Sequence, residues 1–470
     1  MCPSTHARLL APLVALVLAA TVAAQDRAGV QLAAGSPFRG GVPTGAVSPQ
    51  PIPLSIGDAI RQALDRNLGV LQADERVDRA RGARWDALSR LLPHLSAGVT
   101  ETRRKTSLEV FGFPLRGEFP RIVGPFNVFD ARLFASQALV DRPAALDSRA
   151  EAHNLEAARQ DYRSARDLVV LVSANLYLEA LAASARVETA RAQRDTAEAL
   201  YRQAQDLRQS GIIAGLDVVR AEVRLSADRQ RATAAMNEFQ KAKLQLARVI
   251  GLPIGQEFTL SSVLPTVPVP DMRLDEALER AYRERPDVRA AAERVSAAET
   301  ARRAVSAERL PSVNVNADYG AIGLTAASTL STFAVTGTVN VPIFEGGRIR
   351  ARLVEADADL RHRRMELEDL RAEIYYEVRS AFLDLQATGE ELETATRARE
   401  LAGQQLAQSR DRFAAGVASN IEVVQAQEAV TLASEQYIGA LYGFNVSKAL
   451  LARSLGAAET TVGSYLGGAN

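Results

Sequence analysis

A segment beginning at Leu54 recurs about 218 residues later without a gap, and this duplication governs what the chain can fold into. Asp58-Ala59-Ile60 returns as Glu276-Ala277-Leu278, Val70 as Val288, Glu75-Arg76-Val77 as Glu293-Arg294-Val295, and Leu92-Pro93 as Leu310-Pro311. A second match, offset by about 205, sets Gly211 to Ala221 against Gly416 to Ala426. The matches are spaced like helix faces, so two copies of one unit, residues 54–265 and 266–456, account for nearly the whole mature chain. Each copy predicts one order: a helix of about 38 residues, two strands, a helix of about 65, a Gly-marked turn and a helix of about 35.

At about 1.5 Å per residue the middle helix reaches roughly 100 Å, far beyond the globular mean of about 11–12 residues, and needs neighbours along its length. Arg, Glu, Asp and Gln lace its surface around stripes such as Leu353, Leu360, Leu367, Leu370 and Ile374, which suits helices packed side by side. Residues 1–24 carry an apolar run from Leu9 to Ala20 and then Val22-Ala23-Ala24, which predicts a cleaved signal peptide and export. Cys2, inside it, is the only cysteine, so the mature protein is expected to hold no disulfide and no lipidated cysteine. Residues 25–53, with Pro37, Pro43, Pro49, Pro51 and Pro53, read as a Pro/Gly-rich linker, and 457–470 as a flexible C-terminal tail. No apolar run of about 18 residues is found after the signal, so membrane entry is expected to use strands.

Four segments alternate as strands do. Phe333, Val335, Val339, Val341 and Ile343 share one face, with Thr336, Thr338 and Asn340 on the other; Val313, Val315, Ala317 and Tyr319 oppose Asn314, Asn316 and Asp318. In the first copy Leu95, Ala97 and Val99 oppose Ser96, Gly98 and Thr100, while Phe129, Ala131, Leu133 and Ala135 oppose Asp130, Arg132 and Ser136. Lipid outside and water inside produce this pattern. A sheet in hydrocarbon must close, and the smallest barrels use about eight strands, so four strands require another copy of the chain; two chains and three both satisfy that arithmetic. A soluble sandwich shares the alternation and a periplasmic scaffold of coiled helices shares the helices, so both stay open on these grounds.

Catalytic material is thin. The mature chain keeps His94, His153 and His362, widely separated, and no zinc-helix motif, P-loop, paired-glycine nucleotide fingerprint, EF-hand loop or nucleophile elbow occurs. No enzyme activity, cofactor or metal is expected. The 56 basic residues balance 56 acidic ones, so no net field points to nucleic acid. Arg361-His362-Arg363-Arg364 and the acids Glu355, Asp357 and Asp359 read as solvated faces or interhelix pairs.

From about Leu54 to Leu455 the chain resembles the outer-membrane efflux proteins of TolC type. The features that carry the resemblance are the duplication, Leu92-Pro93 and Leu310-Pro311 before the strands, the segment Pro342 to Gly347, and the two Gly turns. It implies an α+β membrane protein: a homotrimer whose four strands per chain build an outer-membrane β-barrel of about 12 strands, continued by a long α-helical periplasmic tunnel. It also implies a passive exit duct of a tripartite efflux or secretion system, set in outer-membrane lipid. The partners would be a periplasmic adaptor and an inner-membrane transporter, and a duct dedicated to type I protein secretion is the alternative.

By the same resemblance the Gly turns form the periplasmic mouth. Adaptor-docking residues are expected at Gly211, Leu216, Asp217 and Val218 and at Gly416, Ile421 and Val423. The gate is expected at Glu422, the family's inner-turn acidic position, with Gln425 and Phe413 beside it. Gln425 stands where the family has a second acid and Phe413 where it often has a tyrosine, with Arg208 the equivalent in the first copy, which implies a differently wired latch.

Overall fold

A computed structural model describes residues 35–111, 121–267, 272–415, 417 and 420–466. The signal peptide predicted at 1–24 lies outside them. Each copy does carry the expected long helices: α3 (Arg142–Gln209) and α4 (Gly215–Val249) in the first, α7 (Arg348–Ala414) and α8 (Asn420–Ser454) in the second. The leading helix of about 38 residues is instead two in each copy. These are α1 (Ile56–Arg66) and α2 (Leu68–Ser89), then α5 (Leu274–Glu284) and α6 (Pro286–Ala307).

The two breaks have different causes. Arg285 is extended (ψ 126°) because the ring of Pro286 disfavours helical backbone at the residue before it. Asn67 is extended (ψ 131°) without a following proline. It is fully buried; its Nδ2 donates to the carbonyls of Phe38 and Val249 at 3.0 and 3.3 Å, and its Oδ1 accepts the Gly69 N–H at 2.9 Å. Those bonds replace the helical ones. Gly69 must be glycine, since a Cβ there would collide with the Phe38 ring.

The chain forms two compact units. The first comprises the described residues up to Glu75, Gln160–Arg289 and those from Leu370 onward. Its core gathers Leu54, Val169, Val170, Tyr177, Leu178, Leu246, Ile250, Phe258, Val446 and Ala452, and the Tyr177 hydroxyl donates to the Leu54 carbonyl at 2.8 Å. An 18-residue window of α3 reaches a mean hydropathy of 1.7, an apolar stretch the sequence reading missed; 72% of it is buried, as in a core helix.

Two further expectations are corrected in this unit. Residues 35–53 are not a bare linker: Phe38 packs on the core, and the parallel strands β1 (Ile52–Leu54) and β4 (Phe258–Leu260) pair. The tail from 457 is not free either. Ala458–Tyr465 is helix α9, with Ala458, Val462, Tyr465 and Leu466 buried, and Arg166 grips Glu459 through two hydrogen bonds of 2.9 and 2.6 Å. The small apolar residues at helical spacing supply the face that docks.

The second unit is Arg76–Arg159 with Ala290–Asp369. Alanine dominates the buried faces of its helices, among them Ala87, Ala150, Ala157, Ala290, Ala298 and Ala304, so their backbones can approach closely. Its four-stranded antiparallel sheet has the order β2-β3-β5-β6, from β2 (His94–Ser107), β3 (Ile122–Val140), β5 (Ser312–Gly323) and β6 (Leu330–Asn340). The last strand ends at Asn340, short of the Ile343 expected from alternation, because Pro342 cannot donate to a ladder.

Register aligns the predicted faces across all four strands. Ala97 pairs with Leu133, Leu133 with Tyr319 and Tyr319 with Phe333 on the apolar face; Gly98, Arg132, Gly320 and Thr332 form the matching rung of the polar face. On that polar face Arg132 bonds Asp318, Asp130 at 3.1 Å and Thr332 at 3.2 Å. The apolar face is bare: Leu95 and Phe333 are 77% and 75% exposed.

Candidate functional site

The first Gly turn is a Schellman-capped hairpin. Gly211 has φ 72°, the left-handed region where glycine has no Cβ penalty. Its N–H donates to the Arg208 carbonyl at 2.9 Å, and the Ile212 N–H reaches back to Leu207 at 2.9 Å, the paired bonds of that cap. The Arg208 guanidinium lies over Gly215, whose Cβ would sit 3.3 Å from it. Asp217, in the first turn of α4, pairs with Arg220 at 3.2 Å.

The second turn repeats the long-range bond, Val417 N–H to Arg412 at 3.0 Å. Gly416 itself lies outside the described residues. The expected docking residues divide by exposure: Leu216 and Ile421 are exposed, together with Ile212 and Val417, and Gly211 is bare. Val218 (7%) and Val423 (0%) are buried within the protomer. Helical periodicity turns them inward, Val218 onto Ala204 and Ala221. The three expected gate residues stand apart in environment: Gln425 is exposed, Phe413 half-buried, and Glu422 forms an ion pair with Arg412 at 3.1 Å across the hairpin.

A charge cluster that sequence reasoning missed lies between α4 and α8. Arg224, almost buried, bonds Asp228 at 2.9 Å, Thr431 at 3.1 Å and Glu428, and Arg231 joins Asp228 at 3.0 Å and Glu428 at 3.3 Å. Burial alone would raise the Glu428 carboxyl, but hydrogen bonds and charge from Arg224 and Arg231 outweigh it and hold it below the usual carboxylate range. The spacing of Arg224, Asp228 and Arg231 does mark one helix face, but nothing in the chain announces that Glu428 meets it. No group of His, Cys, Asp and Glu suited to a metal occurs among the described residues.

Capped turns at the ends of long helices, together with an amphipathic sheet bare on its apolar side, describe a membrane channel subunit. The sequence matches the family described as outer membrane efflux protein over residues 59–252 and 277–457. The chain belongs to that family, whose members are outer-membrane channels and not enzymes. It is 24% identical over 380 residues to the pyoverdine export outer membrane protein OpmQ of Pseudomonas putida, covering 77% of each chain. The Campylobacter jejuni CmeC outer membrane channel superposes with a TM-score of 0.75 at 16% identity, covering 92% of this chain and 94% of that one. The open-state Neisseria gonorrhoeae MtrE channel gives 0.72 at 18%, with the same coverages.

Proposed function

We propose that the chain is one protomer of a homotrimeric, passive exit duct, receiving cargo from a periplasmic adaptor and an inner-membrane transporter. The observation that carries this reading is the sheet, whose apolar face is bare and whose edge strands β2 and β6 have no partner strand among the described residues. Water does not favour the bare apolar face but hydrocarbon does, and hydrocarbon tolerates no unpaired strand edge, so the edges of neighbouring protomers pair. Two protomers would give about eight strands, an interior that side chains fill; three give about 12 and leave a passage. Purified, cross-linked protein should therefore run as three copies, and a dimer as the largest species would contradict this.

In this reading α3, α4, α7 and α8 line the tunnel, Gly211, Leu216, Gly416 and Ile421 meet the adaptor, and Glu422 rings the mouth. OpmQ exports pyoverdine, which supports small-molecule cargo here over polypeptides.

The Arg412 partner changes what Glu422 does. Each carboxylate brings a guanidinium to the mouth, so cation preference in reconstituted pores should be slight. Arg412→Gln should raise it several-fold, and Glu422→Gln should turn the pore toward anions. Salt should weaken both effects, since exposed charges are screened over about 8–10 Å at 0.1–0.15 M. A larger effect from Asp217→Asn than from Glu422→Gln would remove Glu422 from the gate.

A further inference from the structure

The sheet's two hairpins differ in length. Gly323, the last residue of β5, is level with Phe129 and, through it, Glu101; β2 and β3 go on pairing to Ser107 and Ile122. The stretch Thr102–Ser107 thus runs on for about 20 Å beyond the level at which β5 ends, at about 3.3 Å per residue. It carries Arg103, Arg104 and Lys105 in succession, all exposed. Among the described residues no carboxylate pairs with any of the three.

Alternation assigns these charges to different sides. Arg103 continues the face of Leu95, Ala97, Val99 and Glu101, Arg104 continues that of Ser96, Gly98 and Thr100, and Lys105 sits at a bulge between Arg104 and Thr106. Along the apolar face the order is therefore aliphatic residues, a carboxylate hydrogen-bonded by Asn127 at 3.4 Å, then an unpartnered guanidinium. That is the order of acyl chains, boundary and headgroups. The long helices leave from the opposite ends of all four strands, so the arm lies on the side away from the periplasm.

We infer that this arm binds the phosphate groups of the glycolipid in the outer leaflet, with Arg103 as the principal contact. A guanidinium presents two parallel donors to a phosphate, and Lys105 adds a point charge nearby. The assignment rests on the sheet being a membrane wall.

The test uses the full-length protein in detergent, titrated with fluorescent lipid A carrying its phosphates, with dephosphorylated lipid A, and with phosphatidylglycerol. Phosphorylated lipid A should bind tightest, and the triple variant Arg103→Gln, Arg104→Gln, Lys105→Gln should weaken it on the order of a hundredfold. Arg103→Gln alone should cost more than Arg104→Gln. Unchanged binding by the triple variant, equal binding of phosphatidylglycerol, or dominance of Arg104 would each overturn the assignment. Insertion into plain phosphatidylcholine vesicles reports separately on the membrane wall: failure there sinks that reading, whereas insertion without phosphate-dependent binding sinks only the arm.

Discussion

Replacing Gly211 and Gly416 together by tryptophan is expected to abolish export, reducing complementation of a deletion strain to that of an empty vector. Nothing lies within 4 Å of a Cβ placed on Gly211, so a tryptophan there would stand out from the first turn and block what it meets; the Gly416 substitution extends the test to the matching motif of the second copy. The left-handed backbone at Gly211 adds strain of about 1–2 kcal/mol, too little to unfold a chain with this much buried core. Outer-membrane yield and the cross-linked species should accordingly be unchanged. Gly211→Ala carries the same strain without the bulk and should still export; if the double tryptophan variant exports as well, the turns are not a docking surface.

The second large effect is on stability. Arg285 is 5% exposed and donates to Asp287 at 2.6 and 3.1 Å, to Glu377 at 2.5 Å and to the Ser454 carbonyl at 3.4 Å. It ties the start of α6 to α7 and to the end of α8. Arg285→Met leaves two half-buried carboxylates without their partner and should cost about 3 kcal/mol, read as a lowered denaturant midpoint in detergent. Less than about 1 kcal/mol would mean that the carboxylates are re-solvated at no loss.

The same contact has a pH signature. Burial would raise the Asp287 carboxyl, but hydrogen bonds and charge from Arg285 outweigh it and hold it below the usual carboxylate range. A depressed carboxylate stabilises the fold above its ordinary range, and that contribution is lost as pH falls through the folded value. In Arg285→Met burial acts unopposed by Arg285, so acidification should cost the variant less than the parent.

What was legible in the sequence was what repeats or alternates. The 218-residue offset located both copies, and even the two breaks obey it, at Asn67 and Arg285. Pro286 announced one break; the other depends on an asparagine amide reaching Phe38 and Val249, contacts that no local pattern encodes. Strand alternation gave the faces correctly but overran the end of β6. Val218, Ala221 and Leu225 recur at helical spacing and mark an inward face of α4 that the sequence makes readable, and Val423 is buried likewise. The α9 helix is readable from the spacing of Ala458, Val462, Tyr465 and Leu466, which puts them on one face. The pairing of Glu422 with Arg412 depends on the course of the intervening turn, and sequence spacing does not supply it.

Closure of the sheet between protomers can be measured by disulfide trapping. Beyond Cys2, inside the predicted signal peptide, the chain has no cysteine to confuse the result. One new cysteine goes on β2, at Ser96, Gly98 or Thr100, and one on β6, at Thr332, Thr336 or Thr338, all on the polar face. Within one chain β2 and β6 are separated by β3 and β5, about 14 Å at about 4.7 Å per strand, too far for an internal bridge. Three protomers closing one antiparallel barrel should yield, for at least one pair in register, a covalent trimer that oxidation forms in the outer membrane and reduction dissolves. Covalent dimers as the end point, or no intermolecular bridge from any pair, would contradict the trimeric barrel.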